Sequence, residues 1–292
     1  MEVLIKMAII PAREKLNKYD EDTLKRLKEL NLVLLKEFIR ICEDNDIEYF
    51  LDGGSAIGAV RHQGFIPWDD DMDIILFRDQ YDKFMEVMKN YKEDKFELIS
   101  STTKRDYVRW YSLFSLKGTK AGVYYDRNTD FTVGIALDIF VLDNIPDNVI
   151  RRGIFKIRWY ILKKIIWLYE IANGDAYISK NKEKIGRFSR KLFKLFNINF
   201  SKLKRWGNNF INDYRDEKTD YVTNLSTTYK LEAFPKELFR PPKKVLFENI
   251  EVNIPNDYDT YLKMIYGEYK EVPPVEERYN HFYNIVDFGK YK

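Results

Sequence analysis

Apolar positions recur along this chain in two rhythms, and the change from one to the other marks its elements. From Asp22 to Cys42, the residues Leu24, Leu27, Leu34, Phe38 and Ile41 fall on one helical stripe, which Asn45-Asp46 ends. Ile47 to Leu51 (IEYFL) reads as a short buried strand, Gly53-Gly54-Ser55 as a tight turn, and Ala56 to Arg61 as the first turns of a helix. The run WDDDMDIILF from Trp68 ends in four apolar residues, Ile74 to Phe77, which make it a core strand. Arg78 to Tyr91 predicts an amphipathic helix with Tyr81, Phe84, Val87 and Met88 inward. Strands are predicted at Phe96 to Ser100, Arg109 to Lys117 and Ala121 to Asp126, and Gly134 to Leu142 (GIALDIFVL) reads as a fully buried strand. Past Arg240, two prolines precede a strand pair, Lys244 to Phe247 and Ile250 to Val252, and then a helix over Asp257 to Tyr266. The chain shows no internal repeat and no low-complexity segment.

The acidic run changes the picture from scaffold to chemistry. Side chains alternate along a strand, so Asp69, Asp71 and Asp73 are predicted on one face and Asp70 and Met72 on the other. Carboxylates packed on one face repel unless a cation neutralises them, and hard oxygen ligands suit Mg2+ or Mn2+ shared with phosphates. The turn at Gly53, Gly54 and Ser55 offers backbone N–H groups and the positive end of a helix dipole to a phosphate. Asp138 interrupts an apolar run, so it either hydrogen-bonds locally or completes the metal site begun by Asp71 and Asp73. Arg61 could brace a diphosphate or the aspartates, or form a structural ion pair. The two histidines, His62 and His281, lack metal-ligand spacing to a second His or Cys, which argues against zinc.

With 292 residues, 45% hydrophobic and 16% aromatic, the chain can bury a substantial core and is not a disordered sequence. The single cysteine, Cys42, forms no internal disulfide and sits on the apolar stripe of the first helix as a structural thiol. No signal peptide or membrane span is expected. The net charge of +3 conceals a segregation: Arg151 to Phe210 holds 16 Lys plus Arg against 3 Asp plus Glu, a net +13, so the rest of the chain carries −10. That basic segment mixes its cations with Ile, Leu, Trp and Phe at helical spacing. Two readings stand side by side: a surface for anionic membrane lipid, or a helical insertion whose apolar stripe packs on the core while its lysines face water. No motif for reading DNA or RNA accompanies it, so nucleic acid is not an expected partner.

The order of Gly-Ser turn, Asp-apolar-Asp and a later apolar-Asp-apolar strand is similar to that of the nucleotidyltransferase superfamily. Within it, LDGGSAIGAVRHQGFIPWDDDMDI, then LDIFVLD, then YDTYLKMIYGEYKEVPP resembles the LicD family of phosphocholine transferases, related to fukutin-type proteins. The resemblance spans Ile47 to Asp143 and, more weakly, Phe239 to His281. It implies an α/β (α+β) fold, a nucleotidyltransferase-like core with a central mixed sheet flanked by helices, plus a basic helical insertion. The implied organisation is a catalytic core with its N-terminal helix over 1–150, the insertion over 151–215, and a segment completing the catalytic domain over 216–292. The implied activity moves phosphocholine, or a similar phospho-alcohol, from a CDP-activated donor such as CDP-choline to a hydroxyl of a cell-surface glycan or its lipid-linked precursor, releasing CMP. Asp71, Asp73 and Asp138 would be the catalytic residues and would hold one or two Mg2+ or Mn2+ ions. Gly53, Gly54, Ser55, Arg61, His62, Asp69, Arg278 and His281 would contact substrate, the last two near the donor by the resemblance alone. A cationic choline would suit an aromatic cage, for which Trp110, Tyr111, Tyr124 and Tyr125 are at hand. The expected location is cytoplasmic, peripheral on the inner face of the membrane. A nucleotidyltransferase releasing pyrophosphate, and an inactive glycan- or membrane-binding module, are the alternatives.

Overall fold

The computed structural model describes residues 19–104, 107, 110–122, 133–173, 180–226, 231–278 and 285–292. Helix α1 (Glu21–Asp44) is capped by Asp20, whose side chain accepts from the Thr23 N–H, and it buries Leu27, Leu34, Phe38 and Ile41 as its stripe requires. Burial also encloses Cys42 and pushes its thiol well above the ordinary cysteine range, which leaves it inert. There follow β1 (Phe50–Leu51), α2 (Gly53–His62), β2 (Asp73–Phe77), α3 (Arg78–Lys89), β3 (Phe96–Ile99), β4 (Ser112–Leu116), β5 (Lys120–Gly122) and β6 (Ala136–Ile145). Three helices come next, α4 (Val149–Asn173), α5 (Lys180–Leu195) and α6 (Phe200–Asn212). The chain then returns through β7 (Tyr221–Asn224), β8 (Phe234–Pro235), β9 (Lys243–Phe247), β10 (Ile250–Ile254), α7 (Tyr258–Tyr266) and β11 (Ile285–Asp287).

Strand β6 is the spine of a mixed sheet, so the α/β class is as expected. On one edge it pairs in parallel with β2, and on the other it pairs antiparallel with β4 along its first half and β7 along its second. β1 extends the sheet beyond β2, and β3 extends it beyond β4. One face is covered by α1 and α3, where Phe38 meets Phe84 at 5.3 Å and Phe114 at 6.4 Å. The other face is closed over β1 and β2 by the C-terminal part of the chain, with Phe239 5.4 Å from both Phe50 and Phe77. Near the start of β2 and β6 that second face stays partly open.

Four expectations need correction. Only Phe50 and Leu51 of the predicted first strand pair with a neighbour. Gly53, Gly54 and Ser55 are not a turn ahead of a helix but its first turn. The aspartates before Asp73 are not in the ladder; β2 begins at Asp73. Strand β6 is not fully buried: Ala136, Asp138 and Phe140 are half-exposed while Leu137 and Ile139 are buried, so its first half has an open face and a core face.

Helices α4 and α6 form their own small core with the end of β6 and with β7. Phe155 and Trp159 of α4 pack on Phe210 of α6 at 4.4 and 5.1 Å, and Trp110 packs edge-on against Trp159 at 5.8 Å. Trp110 lies so close to α6 that any side chain at Gly207 would collide with it. Trp110 therefore serves this packing while staying partly exposed.

Candidate functional site

The site is built around the start of α2. Asp52 is the helix cap, and its carboxylate accepts the Gly53 N–H at 2.8 Å and the hydroxyl proton of Tyr261. Burial raises the pKa of Asp52, and these two bonds pull partly against the rise. The Asp52 N–H donates to the Asp73 carbonyl at 2.9 Å, and the Asp73 N–H donates to Ser55 Oγ at 2.9 Å. The first residue of β2 is thus tied to both sides of the first helical turn. Ser55 is buried and serves here to fix Asp73.

The glycines let two carboxylates come against the helix. Gly53 has φ +52°, and a Cβ there would stand 2.6 Å from Asp73 Oδ2 and 3.3 Å from the Tyr266 hydroxyl. A Cβ on Gly54 would stand 2.6 Å from Asp69 Oδ2. The carboxylates of Asp69 and Asp73 therefore lie at the positive end of the α2 dipole. The N–H groups of Gly54 and Ser55, in the first turn, have no acceptor within the helix.

Asp69, Asp70 and Asp71 each offer a carboxylate oxygen within 4.8 Å of the others, the one such set of three among the described residues. Asp70 thus joins the group from which strand alternation had separated it. The alternation survives in burial, since Asp69, Asp71 and Asp73 are half-exposed while Asp70 and Met72 are buried. The set Asp71, Asp73 and Asp138 does not meet that spacing. Asp73 and Asp138 are nevertheless direct partners in the parallel β2–β6 register, so both project from the open face of the sheet. An Mg2+ ion with oxygens at about 2.1 Å spans ligands about 3–4 Å apart, so the Asp69 to Asp71 spacing fits a divalent ion with a small adjustment.

Helix α1 holds this acidic loop in place. Lys28 of α1 donates to the carbonyls of Ile66 and Pro67 at 3.1 and 2.8 Å, and Asn31 Nδ2 donates to the Asp70 carbonyl at 3.1 Å. Burial lowers the pKa of Lys28, while Asp69, Glu248 and Asp70 draw it upward. The periodicity of α1 carried no sign of either contact.

Arg61 does not brace the aspartates. Its guanidinium donates to the carbonyls of Tyr269 and Glu271, at 2.5 and 3.1 Å, and its Nε donates to His62 Nε2 at 3.0 Å. His62 is an acceptor in that bond, and burial together with Arg61 and Lys28 lowers its pKa, so it is neutral at pH 7. The His62 ring meets Trp68 edge-on at 6.4 Å, and Arg278 lies over the same Trp68 ring at 4.6 Å. Arg61, His62 and Arg278 therefore pin the C-terminal segment beside the residue that precedes Asp69. His281, Tyr124 and Tyr125 lie outside the described residues. Tyr111 meets Phe140 at 4.9 Å, on the open face that also carries Asp138.

Residues 46–159 match the family described as LicD/FKTN/FKRP, nucleotidyltransferase domain. The chain carries a LicD-family domain. It is 29% identical over 275 residues to the lipopolysaccharide cholinephosphotransferase LicD of Haemophilus influenzae, an overlap of 89% of this chain and 96% of that protein. A 60-residue stretch is 37% identical to an uncharacterised protein of Rickettsia typhi, covering 20% of this chain and 19% of that one. The LicD-family match takes in Asp52, the α2 turn, all five aspartates and β6. Tyr261 and Tyr266 come from a helix beyond it, yet they stand at the same turn.

A prediction follows for the Asp52–Tyr261 bond. The folded pKa of Asp52 lies above its unfolded value, so its ionisation subtracts from stability as pH rises through the folded pKa. Tyr261→Phe removes a bond that favours the ionised form and raises that pKa further. The variant should lose about 1–3 kcal/mol at neutral pH, and the deficit should narrow as pH falls toward 3.8, the ordinary value for Asp. Urea unfolding across that range measures it, and a deficit independent of pH would show that Asp52 does not titrate there.

Proposed function

We propose that this protein transfers phosphocholine from CDP-choline to a hydroxyl of a lipopolysaccharide glycan or its lipid-linked precursor, releasing CMP. One observation supports this reading above others: the similarity to the Haemophilus cholinephosphotransferase covers 89% of this chain and 96% of that protein, well beyond the matched domain. Transfer of this kind asks little covalent chemistry of a protein and much positioning and charge neutralisation. Asp69, Asp70, Asp71, Asp73 and Asp138 are the residues to hold one or two Mg2+ or Mn2+ ions, which when bound would neutralise the donor's diphosphate. The start of α2 is already occupied by Asp69 and Asp73, so the phosphates would meet the N–H groups of Gly54 and Ser55 beside these carboxylates rather than in their place. Asp138, half-exposed on the open face, would either ligate a second ion or accept the proton of the acceptor hydroxyl as it attacks the phosphorus bearing choline. Tyr111 and Phe140 offer aromatic surface beside it for the quaternary ammonium.

Calorimetry with CDP-choline, CDP-ribitol and CTP, each with and without Mg2+, tests the donor. CDP-choline binding that requires the ion, followed by CMP release in the presence of lipopolysaccharide, is the expected result. Tightest binding of CTP, with pyrophosphate as product, would make the protein a nucleotidyltransferase. Binding of none of the three would leave a glycan-binding module without donor chemistry.

A further inference from the structure

The helical unit after β6 exposes apolar surface in a pattern that its own packing does not require. On α4, Ile150, Ile154, Ile157 and Ile161 are 75, 54, 61 and 57% exposed. Their spacing of four, three and four residues sets them on one stripe, turned away from Phe155, Trp159 and Leu162, which pack inward. On α5, Ile185, Phe188, Leu192 and Leu195 are 42, 64, 38 and 74% exposed and form a second stripe. The packed face of α5 is a different one: Gly186 abuts Ile171, Ser189 and Phe193 are buried, and Phe193 meets Tyr169 at 5.4 Å.

The cations of α5 sort the same way. At about 100° per residue, Lys184, Arg187, Lys191 and Lys194 fall in a band between the packed face and the exposed apolar stripe. All four are exposed, and the stretch from Lys184 to Leu195 contains no acid. Each circuit of this helix therefore passes from packed face to cationic band to bare apolar stripe. A solvated helix needs the cations but not the stripe. An intramolecular packing helix would have covered the stripe.

We infer that α4 and α5 form a docking surface for an anionic lipid bilayer, with the apolar stripes entering the headgroup boundary and the cationic band contacting lipid phosphates. Charge complementarity selects this occupant. The segment from Arg151 to Phe210 carries +13, which attracts an anionic leaflet and opposes a second copy of the same segment. A nucleic acid would satisfy the cations and leave two stripes of Ile, Leu and Phe in water. No described helix is long and apolar enough to cross a membrane, so the contact lies at the interface. The inference stands on exposure and charge and is independent of the proposed reaction.

Vesicle flotation of the full chain tests it, using phosphatidylcholine alone and phosphatidylcholine with about one-third phosphatidylglycerol. The protein should float with the anionic vesicles, not with the neutral ones, and should be released in about 1 M salt, where charges are screened within about 3 Å. Ile157→Ser with Phe188→Ser should weaken the partition at least about tenfold, because both stripes lose an anchor. Replacing Lys184, Arg187, Lys191 and Lys194 together by Gln should do the same. These side chains are exposed, so thermal unfolding and CDP-choline calorimetry should match the unaltered protein. That comparison separates a failure of this surface from a failure of the donor reading. Flotation indifferent to lipid charge, or absent altogether, overturns the inference. So does a dimer by light scattering that the Ile157→Ser, Phe188→Ser variant converts to monomer, since a second copy would then own the stripes.

Discussion

Replacing Asp73 by Asn is expected to lower phosphocholine transfer by about 10²- to 10³-fold, equivalent to about 3–4 kcal/mol of transition-state stabilisation. Asp73 is the carboxylate on which the site's separate parts converge. Its carboxylate presses against the Gly53 backbone, its N–H is held by Ser55, its carbonyl is held by Asp52, and its register partner on β6 is Asp138. Asn is nearly the same size and leaves the two backbone bonds intact, so the loss would come from charge and not from a collapsed turn. Stability provides the control. Removing one negative charge from a site that also holds Asp69, Asp70, Asp71 and Asp138 relieves repulsion in the ion-free protein, so the variant should unfold no more readily than the parent. Added Mg2+ should stabilise the parent, by about 2.7 kcal/mol at a hundredfold excess over its dissociation constant, and the variant much less. Unchanged turnover would remove Asp73 from the chemistry. A clear fall in the melting temperature of the ion-free variant would reassign the residue to scaffold.

Much of the scaffold was legible because it depends on local periodicity. The stripe of α1, the inward residues of α3 and the β9–β10 pair follow from spacing that a short window contains. Asp73 and Asp138 could be placed on strands because apolar residues follow each. Their pairing is another matter, since parallel register is fixed by a crossover that spans β3 to β5, and no local pattern encodes it. The half-open face of β6 was hidden for a related reason. Ala136 and Phe140 are apolar even though they face the opening, so an alternating strand looked like a continuous buried run. The first turn of α2 was misread because two glycines weigh against helix, whereas the Asp52 cap and the close approach of Asp69 and Asp73 require them there. Lys28 and Asn31 escaped notice, and Tyr261 and Tyr266 stood in a quoted motif without a role assigned to either. Each reaches the site from a distant element whose own sequence describes only a helix with one apolar face.

The other large effect is one of stability, and it lies at the far end of the strand pair that carries Asp73 and Asp138. Five residues on from those aspartates, Arg78 at the start of α3 donates to both oxygens of Asp143 near the end of β6, at 2.7 and 3.1 Å. The Asp143 side chain is 4% exposed and that of Arg78 is 14% exposed. Burial drives the Asp143 pKa upward and Arg78 opposes it, with Asp82 and Arg215 completing the charge network. Arg78→Ala leaves a buried carboxylate without its fork of donors, and the expected cost is about 3–5 kcal/mol, read as a shift of the urea midpoint at unchanged slope. Replacing the pair together, Arg78→Met with Asp143→Leu, removes the stranded charge as well as its partner and should recover most of that loss. A large coupling between the two sites in a double-mutant cycle would confirm that the pair acts as a unit. The double variant also asks what the pair is for. If its stability returns while transfer falls, Arg78 and Asp143 hold the β2–β6 register that brings Asp73 beside Asp138, and if both return, hydrophobic packing alone sets that register. A single Arg78→Ala variant as stable as the parent would mean that water reaches Asp143 and that the pair is not sealed from solvent.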